Sequence, residues 1–318
     1  MPPSIKFKTP MLATLVEKPF DSPDWIFEIK WDGYRALAYK KNEQLELLSR
    51  NNKSFLKKFP DIVDELKNIP GEFILDGEIV ILDEHGKSKF QLLQNYQKRK
   101  EGTPYYYVFD TLSLNGKDLT GFPLVDRKKT LQKFLKSAKH PHIRYSENID
   151  EDGIDFFKEA AKHELEGIIA KKKDSTYQFR RSQDWLKIKC KLRQEVVIGG
   201  YTAPSGSRKR FGALLVGLYD NGKLRYAGHV GGGFDENLLD DVFEQLQKKL
   251  SPKCPFSEQP HTNNPVTWVK PVLVCEVEFA EWTDEGIMRQ PIFKGMRIDK
   301  KAKDVVKEKP TLLRIVQS

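Results

Sequence analysis

One lysine stands in an apolar segment, where its amine could act as a nucleophile. Lys30 lies within Glu28-Ile29-Lys30-Trp31-Asp32-Gly33-Tyr34-Arg35. Because an apolar environment disfavours the ammonium form, such a lysine loses its proton more easily than a solvated one. Asp32-Gly33 is a turn dipeptide, so we predict a strand that carries Lys30, a turn, and a second strand from Tyr34. Taken alone, the segment fits an ordinary hairpin with a surface lysine equally well.

Charged side chains recur in apolar segments farther along the chain. Glu78 lies inside Phe73–Leu82, which we expect to be a pair of strands, and a charge there is costly unless it is used or paired. Glu166 directly precedes another apolar segment. Lys187 and Lys189 alternate with apolar residues, so both are expected on one face of a strand.

These residue types are the ones that a nucleotidyl transfer requires. A lysine can attack an α-phosphate, two carboxylates can hold a divalent cation, and further lysines can stabilise charge on the same phosphate. An aromatic ring such as Phe109 can stack on a base, although most aromatic strand residues are core residues. Lys187 and Lys189, if they lie near Lys30, also favour the loss of its proton by like-charge repulsion.

The composition indicates a polyanionic partner and a reducing compartment. The 318 residues include 54 Lys and Arg against 45 Asp and Glu, a net charge of +9, which favours nucleic acid over acidic membrane or a merely solvated surface. The three cysteines form no metal-binding or disulfide pattern. With no signal peptide and no apolar stretch of about 20 residues, we expect a cytoplasmic protein without membrane association.

The pattern of predicted elements changes near residue 191. Before it, short strands alternate with helices, one of them an amphipathic helix over Phe55–Leu66 that Pro60 interrupts. After it, several glycine-bounded strands and one helix are typical of a small barrel such as an oligonucleotide-binding (OB) fold. We therefore predict an α+β chain with a first domain over residues 1–191 and an OB β-barrel domain over residues 192–318.

Seven motifs in order resemble those of the covalent nucleotidyltransferase superfamily of ATP-dependent DNA ligases, RNA ligases and mRNA capping enzymes. They are Lys30-x-Asp-Gly-x-Arg35, Ser49-Arg50-Asn51, Asp76-Gly77-Glu78, Val108-Phe109-Asp110, Glu166-Gly-x-x-x-Lys171, Trp185-x-Lys187-x-Lys189 and Arg297-x-Asp299-Lys300. One such motif is weak evidence, but seven in this order are specific. The residues around Lys30 and at Arg289–Phe293 resemble the corresponding motif sequences in the ligase domain of bacterial DNA ligase D. That family works with Ku in non-homologous end joining.

The resemblance implies that residues 1–191 are a nucleotidyltransferase (adenylation) domain, and it assigns a role to each motif residue. Lys30 becomes linked to AMP, and Lys187 and Lys189 contact the α-phosphate. The other nucleotide-binding residues are Glu28 and Ile29 near the adenine amino group, Phe109 stacked on adenine, Arg35 and Glu78 at the ribose, Lys171, and Arg50 at the 5′-phosphate of the nick. Glu78 and Glu166 would hold Mg²⁺ or Mn²⁺. Arg297, Asp299 and Lys300 would close over the pyrophosphate.

The implied activity is ATP-dependent sealing of 5′-phosphate/3′-hydroxyl breaks in double-stranded DNA through lysyl-AMP and adenylylated DNA. The resemblance further implies a monomer associated with the bacterial nucleoid and, as a partner, Ku. An RNA ligase or a GTP-dependent capping enzyme is the alternative within the same superfamily. A non-catalytic nucleic-acid-binding module is a third hypothesis, but it predicts a damaged motif, and every motif is intact.

Overall fold

Branched and aromatic segments separated by turn residues form most of the elements of the chain. The computed structural model describes residues 9–83, 86, 88, 90–136, 140–204 and 209–308. They divide into two compact units, the first ending at Cys190 and the second comprising Lys191–Glu308. The division lies one residue before the predicted domain boundary. No helix within the described ranges is long and apolar enough to cross a membrane.

The first unit is built from strands and four helices. In chain order they are β1 (Leu12–Val16), β2 (Ser22–Ile29), β3 (Tyr34–Lys41), β4 (Gln44–Ser49), α1 (Pro60–Asn68), β5 (Phe73–Leu82), α2 (Phe90–Arg99), β6 (Thr103–Leu114), β7 (Lys117–Asp118), α3 (Leu124–Lys136), β8 (Ile143–Tyr145), β9 (Asn148–Glu151), α4 (Gly153–Lys162), β10 (Gly167–Lys172) and β11 (Arg181–Lys189).

These strands form two sheets. The first has the order β1-β11-β10-β2-β9, and the second has the order β4-β3-β5-β6-β7 with β8 paired to β6. A buried cluster that includes Leu37, Phe109 and Trp185 draws side chains from both sheets, so their inner faces share one core. Helix α4 packs on the first sheet, and α1, α2 and α3 contribute to the core of the second sheet.

The segment that carries Lys30 links the two sheets. Because β2 belongs to the first sheet and β3 to the second, Asp32-Gly33 does not close a hairpin, and the hairpin interpretation is wrong. Lys30 itself lies one residue beyond the end of β2. A side chain at Gly33 would place its Cβ 2.2 Å from the carbonyl oxygen of Ile79, so the connection passes too close to β5 for any other residue.

Two local predictions for the first unit are also wrong, for identifiable reasons. Phe73–Leu82 is one ten-residue strand and not a pair, because Asp76 and Gly77 lie at a bulge opposite β6 and do not form a turn. Pro60 begins α1 and does not interrupt it, since a proline at the first helical position lacks only an N–H that would have no helical partner.

The second unit is a five-stranded antiparallel sheet with one α-helix. Its elements are β12 (Arg193–Thr202), β13 (Leu214–Asp220), β14 (Lys223–Val230), α5 (Glu236–Gln247), β15 (Val266–Glu278), β16 (Ile292–Met296) and a 3₁₀ turn at Ala302–Asp304.

The strand order is β14-β13-β12-β15-β16, and the core lies between this sheet and α5. Asp235 caps α5 by accepting a hydrogen bond from Leu238 N at 2.7 Å. In the described part of the unit the ladders do not close a barrel; a single parallel bridge between Gly232 and Ile292 joins the end of β14 to β16. The mixed α+β class is confirmed, with the barrel left open at this edge.

Candidate active site

The pairing of strands β2, β10 and β11 places several predicted site residues side by side on the first sheet. Glu28 lies opposite Ile169, and Ile169 lies opposite Lys187, while the next row pairs Gly167 with Lys189. Residues directly opposite on antiparallel strands share a face. Lys30 joins this second row, because its N–H donates to the carbonyl of Gly167 at 3.0 Å. The register thus brings the backbone of Lys30 to the end of the sheet where Lys189 lies.

The amine of Lys30 forms an ion pair with the carboxylate of Glu166. The two side chains are 19% and 5% exposed, so the pair is largely shielded from water. The sequence predicted apolar surroundings for Lys30, whereas the structure places a carboxylate against its amine. Because an ion pair requires the ammonium form, a nucleophilic role for Lys30 would require the loss of a proton, and Glu166 is positioned to receive it.

The buried carboxylate of Glu28 forms ion pairs with two lysines. Its Oε1 accepts from Lys128 Nζ at 2.7 Å and its Oε2 from Lys171 Nζ at 2.9 Å. Burial, together with the neighbouring ammonium of Lys128, lowers the pKa of Lys171 to about 8, although Glu28 opposes this shift. Burial alone would also lower the pKa of Lys128, but Glu28 and Tyr145 raise it above its usual value. The ammonium groups of Lys128 and Lys171 therefore share the one buried carboxylate of Glu28.

Arg35 is held by a carboxylate that the sequence analysis did not assign to the site. Arg35 Nε and Nη2 donate to the two oxygens of Asp76 at 2.5 and 2.6 Å, and Tyr177 Oη donates to Asp76 at 2.5 Å. Burial opposes the charge of Arg35, but Asp76 raises its pKa above the usual value. Arg35 lies opposite Glu78 in the β3/β5 register, so the two predicted ribose contacts are neighbours on the second sheet.

Phe109 lies in the core between the two sheets, with 7% of its surface exposed. Arg35 Cζ and Lys171 Nζ lie 4.4 and 4.3 Å from its ring centroid, and the ring of Trp185 meets it edge to face at 6.0 Å. The ring is thus a core residue that also touches two of the predicted nucleotide-binding cations. Trp185 is fully buried and acts as packing.

Asp110, next to Phe109, forms a fully buried ion pair with Arg127 of α3. Arg127 Nε and Nη2 donate to Asp110 Oδ1 and Oδ2 at 2.9 and 2.8 Å. Arg127 Nη1 donates to the carbonyls of Phe122 and Ser175 at 2.6 and 2.8 Å. This network fixes α3, and with it Lys128, against the strand that carries Phe109.

Sequence reasoning missed Asp76, Lys128 and Tyr177 as parts of the site. A signal for Lys128 was present, since it occupies a position of the apolar stripe of α3 that also includes Leu124, Leu131 and Leu135. A lysine on such a stripe needs a buried anion. No comparable signal marks Tyr177, whose partner Asp76 lies 101 residues away in the chain.

The structure places the remaining predicted residues elsewhere. Arg50 lies half-buried in the tight turn that follows β4. Arg297, Asp299 and Lys300 belong to the second unit, where Arg297 Nε donates to Asp299 Oδ1 at 2.9 Å and Lys300 Nζ to Glu195 Oε1 at 2.6 Å. Burial opposes the ionisation of Asp299, but Arg297 holds its pKa below the usual value. These three residues form an ion-pair network within their own unit.

Comparisons with known proteins identify the family of this chain. Residues 10–189 match the family model described as ATP dependent DNA ligase domain, and residues 207–300 match that of the ATP dependent DNA ligase C terminal region. The chain is 40% identical over 315 residues to the multifunctional non-homologous end joining protein LigD of Pseudomonas aeruginosa, covering 97% of this chain and 37% of LigD.

Two further relatives extend the comparison. The SPbeta prophage-derived DNA ligase-like protein LigB of Bacillus subtilis is 30% identical over 295 residues, covering 92% of this chain and all of LigB. The solved structure of mycobacterial DNA ligase D complexed with ATP and MES superposes with a TM-score of 0.71 at 35% identity, covering 95% of this chain and 98% of that chain.

The chain spans about two fifths of the length of the LigD relatives that it matches, 37% in one case and 40% in another. The first family model alone covers more than half of the chain. The chain belongs to the ATP-dependent DNA ligase family.

Proposed function

We propose that this chain uses ATP to seal breaks in double-stranded DNA that carry a 5′-phosphate and a 3′-hydroxyl. The observation that supports this most strongly is the position of Lys30. Its amine contacts the Glu166 carboxylate, and its backbone reaches the same row of the sheet as Lys189. A nucleophile, a proton acceptor and cations for an anionic phosphate are thus contributed by neighbouring strands.

In the first step Lys30 Nζ loses a proton and attacks the α-phosphorus of ATP. An N–P bond forms, the bond between the α-phosphorus and the bridging oxygen breaks, and pyrophosphate leaves. In the second step an oxygen of the DNA 5′-phosphate attacks the AMP phosphorus and displaces Lys30. In the third step the 3′-hydroxyl attacks the DNA phosphorus, AMP leaves, and the strand is sealed. Lys187 and Lys189 stabilise the charge that develops on the α-phosphate.

The nucleotide lies against the shared faces of the two sheets in this proposal. The ring of Phe109 stacks on the adenine base. Glu28 and Ile29 lie near the adenine amino group and recognise it. Arg35 and Glu78 contact the ribose, Lys171 contacts the nucleotide, and Arg50 contacts the 5′-phosphate at the nick. Arg297, Asp299 and Lys300 act on the pyrophosphate during the first step only.

The residues present fit a divalent cation that enters with ATP. In the described part of the chain no group of three or more His, Cys, Asp or Glu side chains could hold a metal by itself. Mg²⁺ commonly uses one or two carboxylates together with phosphate oxygens and water. Glu78 and Glu166 would supply those carboxylates, and Glu166 already faces a cation, the ammonium of Lys30. When bound, Mg²⁺ or Mn²⁺ would neutralise charge on the phosphate oxygens.

The cellular setting belongs to the same proposal. The names of the LigD relatives describe non-homologous end joining. We infer that this chain acts in DNA repair by end joining, as a monomer at the bacterial nucleoid, with Ku as a partner.

The test is to incubate wild type and Lys30→Ala with α-labelled ATP and Mg²⁺, and then to add nicked duplex DNA. The proposal expects a covalent label on wild type alone, and DNA should discharge this label as it is sealed. Labelling by GTP in place of ATP would replace the ligase proposal by the capping alternative. If neither nucleotide labels the wild type while DNA still binds to Lys30→Ala, the chain is a binding module.

A further inference from the structure

A row of side chains continues from the nucleotide-binding residues to the exposed side of the second sheet. Arg35 lies opposite Glu78, Glu78 opposite Tyr107, and Tyr107 opposite Arg144 on β8. Burial raises the pKa of the Tyr107 phenol and the charge of Arg144 opposes this shift, so the two side chains lie close together on the same face. The face that carries Arg35 and Glu78 is therefore continuous with Tyr107 and Arg144.

Aromatic rings follow this row from Lys30 outward. Trp31, next to Lys30 in the chain, stacks on Tyr107 with ring centroids 3.8 Å apart and planes at 20°. The indole N–H of Trp31 donates to Ser146 Oγ at 3.2 Å, which fixes the ring. Tyr105, two residues before Tyr107, lies 6.3 Å from it. Trp31 and Tyr105 are half-buried, so part of each ring faces solvent.

Arg144 ends the row as an exposed cation that tyrosines hold in place. Its Cζ lies 4.1 Å from the ring centroid of Tyr105. Among the residues that the structure describes, no carboxylate pairs with Arg144. Three other exposed arginines, Arg210, Arg225 and Arg289, do pair with a carboxylate; Arg225 Nε, for example, lies 2.9 Å from Asp220 Oδ2. A guanidinium fixed by aromatic rings and left without a carboxylate is suited to a phosphate.

We propose that Trp31, Tyr105 and Arg144, the aromatic strip, bind one strand of the DNA at the break as it reaches Lys30, and that the buried Tyr107 supports the ring of Trp31 from beneath. This inference rests on the proposed function. Rings for bases and a cation for the backbone are the two features that single-strand binding sites combine. The net charge of +9 favours the same partner. The strip contacts DNA and not ATP, so it acts in the second and third steps and leaves the first step unaffected.

The experiment separates DNA binding from reaction with ATP. Binding of a 5′-phosphorylated nicked duplex is measured by fluorescence anisotropy over a series of KCl concentrations for wild type, Arg144→Ala and Tyr105→Ala. Arg225→Ala is the matched control, because it removes the same charge from an exposed position in the second unit. Labelling by α-labelled ATP without DNA is measured for every variant.

We expect Arg144→Ala to weaken DNA binding by roughly tenfold and to reduce the slope of log K against log[KCl] by about 1. Tyr105→Ala should weaken binding by about fivefold or more, since a stacking surface is lost, while Tyr105→Phe should bind as wild type. Arg225→Ala should leave both the affinity and the slope unchanged. ATP labelling should equal that of wild type in all four variants.

If Arg144→Ala and Arg225→Ala bind DNA with equal affinity, the proposal that the aromatic strip binds DNA is refuted. Loss of ATP labelling in Arg144→Ala in parallel with DNA binding would also overturn it, because the row would then support the fold and not the DNA. Failure of the wild type to label with ATP, together with the expected binding losses, would refute the proposed ligase activity and leave the strip as a DNA-binding surface.

Discussion

Removing one charge from the ion pair between Asp110 and Arg127 should strongly destabilise the first unit. Both side chains are 0% exposed, and two hydrogen bonds of 2.8 and 2.9 Å join them. Asp110→Asn keeps the shape of the side chain but leaves the guanidinium of Arg127 buried without an anion. Breaking a buried pair in this way costs about 3–5 kcal/mol of the free energy of unfolding.

The chain provides a matched control of the same chemistry. Asp220 and Arg225 form an Asp–Arg pair at 2.9 Å, but their side chains are 51% and 64% exposed. An exposed pair contributes about 0–1 kcal/mol, because water solvates either partner when the other is removed. Asp220→Asn should therefore change the free energy of unfolding by at least about 2 kcal/mol less than Asp110→Asn does.

Urea unfolding followed by tryptophan fluorescence measures the difference. With a slope of about 2–3 kcal/mol per molar urea, Asp110→Asn should lower the midpoint of the first unit by roughly 1–2.5 M. Adding Arg127→Met should restore part of the loss, since the unpaired charge is then gone. Equal midpoint shifts for Asp110→Asn and Asp220→Asn would refute the reasoning that burial sets the contribution of the pair.

Three further changes test other parts of the first unit. Because burial lowers the pKa of Lys171 from 10.5 to about 8, the unfolded chain binds more protons between these pH values, and the free energy of unfolding should rise with pH there by about 3 kcal/mol. Lys171→Met should flatten that rise in urea titrations, and an unchanged profile would contradict the assignment. Gly77→Ala would place a Cβ 2.4 Å from the carbonyl oxygen of Tyr107, so thermal unfolding should show a loss beyond the roughly 1–3 kcal/mol of ordinary overpacking. Tyr177→Phe leaves buried Asp76 without one donor and should cost about 1–3 kcal/mol; a midpoint equal to wild type would show that Asp76 does not need it.

The sequence predicted the local features of the site better than their tertiary arrangement. The alternation of Lys187 and Lys189 correctly predicted a strand, because a period of two is a property of neighbouring residues. The same local information cannot tell to which sheet a strand belongs, so the connection at Asp32-Gly33 resembled a hairpin. Pro60 was misjudged for a related reason, since proline both breaks helices and begins them.

The buried partners of the site were the least predictable part. Glu28 is paired with Lys128, 100 residues away, and Lys30 with Glu166, 136 residues away. Such pairs depend on how two sheets and a helix assemble, and no periodicity records that. The motif resemblance predicted which residues carry the chemistry, but it assigned no role to residues that hold them, such as Asp76, which only the structure revealed.

The distance along the chain between Lys30 and its partners also affects how the protein is made. Glu166 follows Lys30 by 136 residues, and β1, at the start of the chain, pairs with β11, where Leu12 lies opposite Arg181. At about 5–20 residues per second, ribosomal synthesis needs roughly 7–27 s to add those 136 residues. During that interval the nascent chain exposes Lys30 without its proton acceptor or the strand of Lys187 and Lys189. In the proposed mechanism, reaction with ATP therefore waits until the last strand of the first unit has been synthesised.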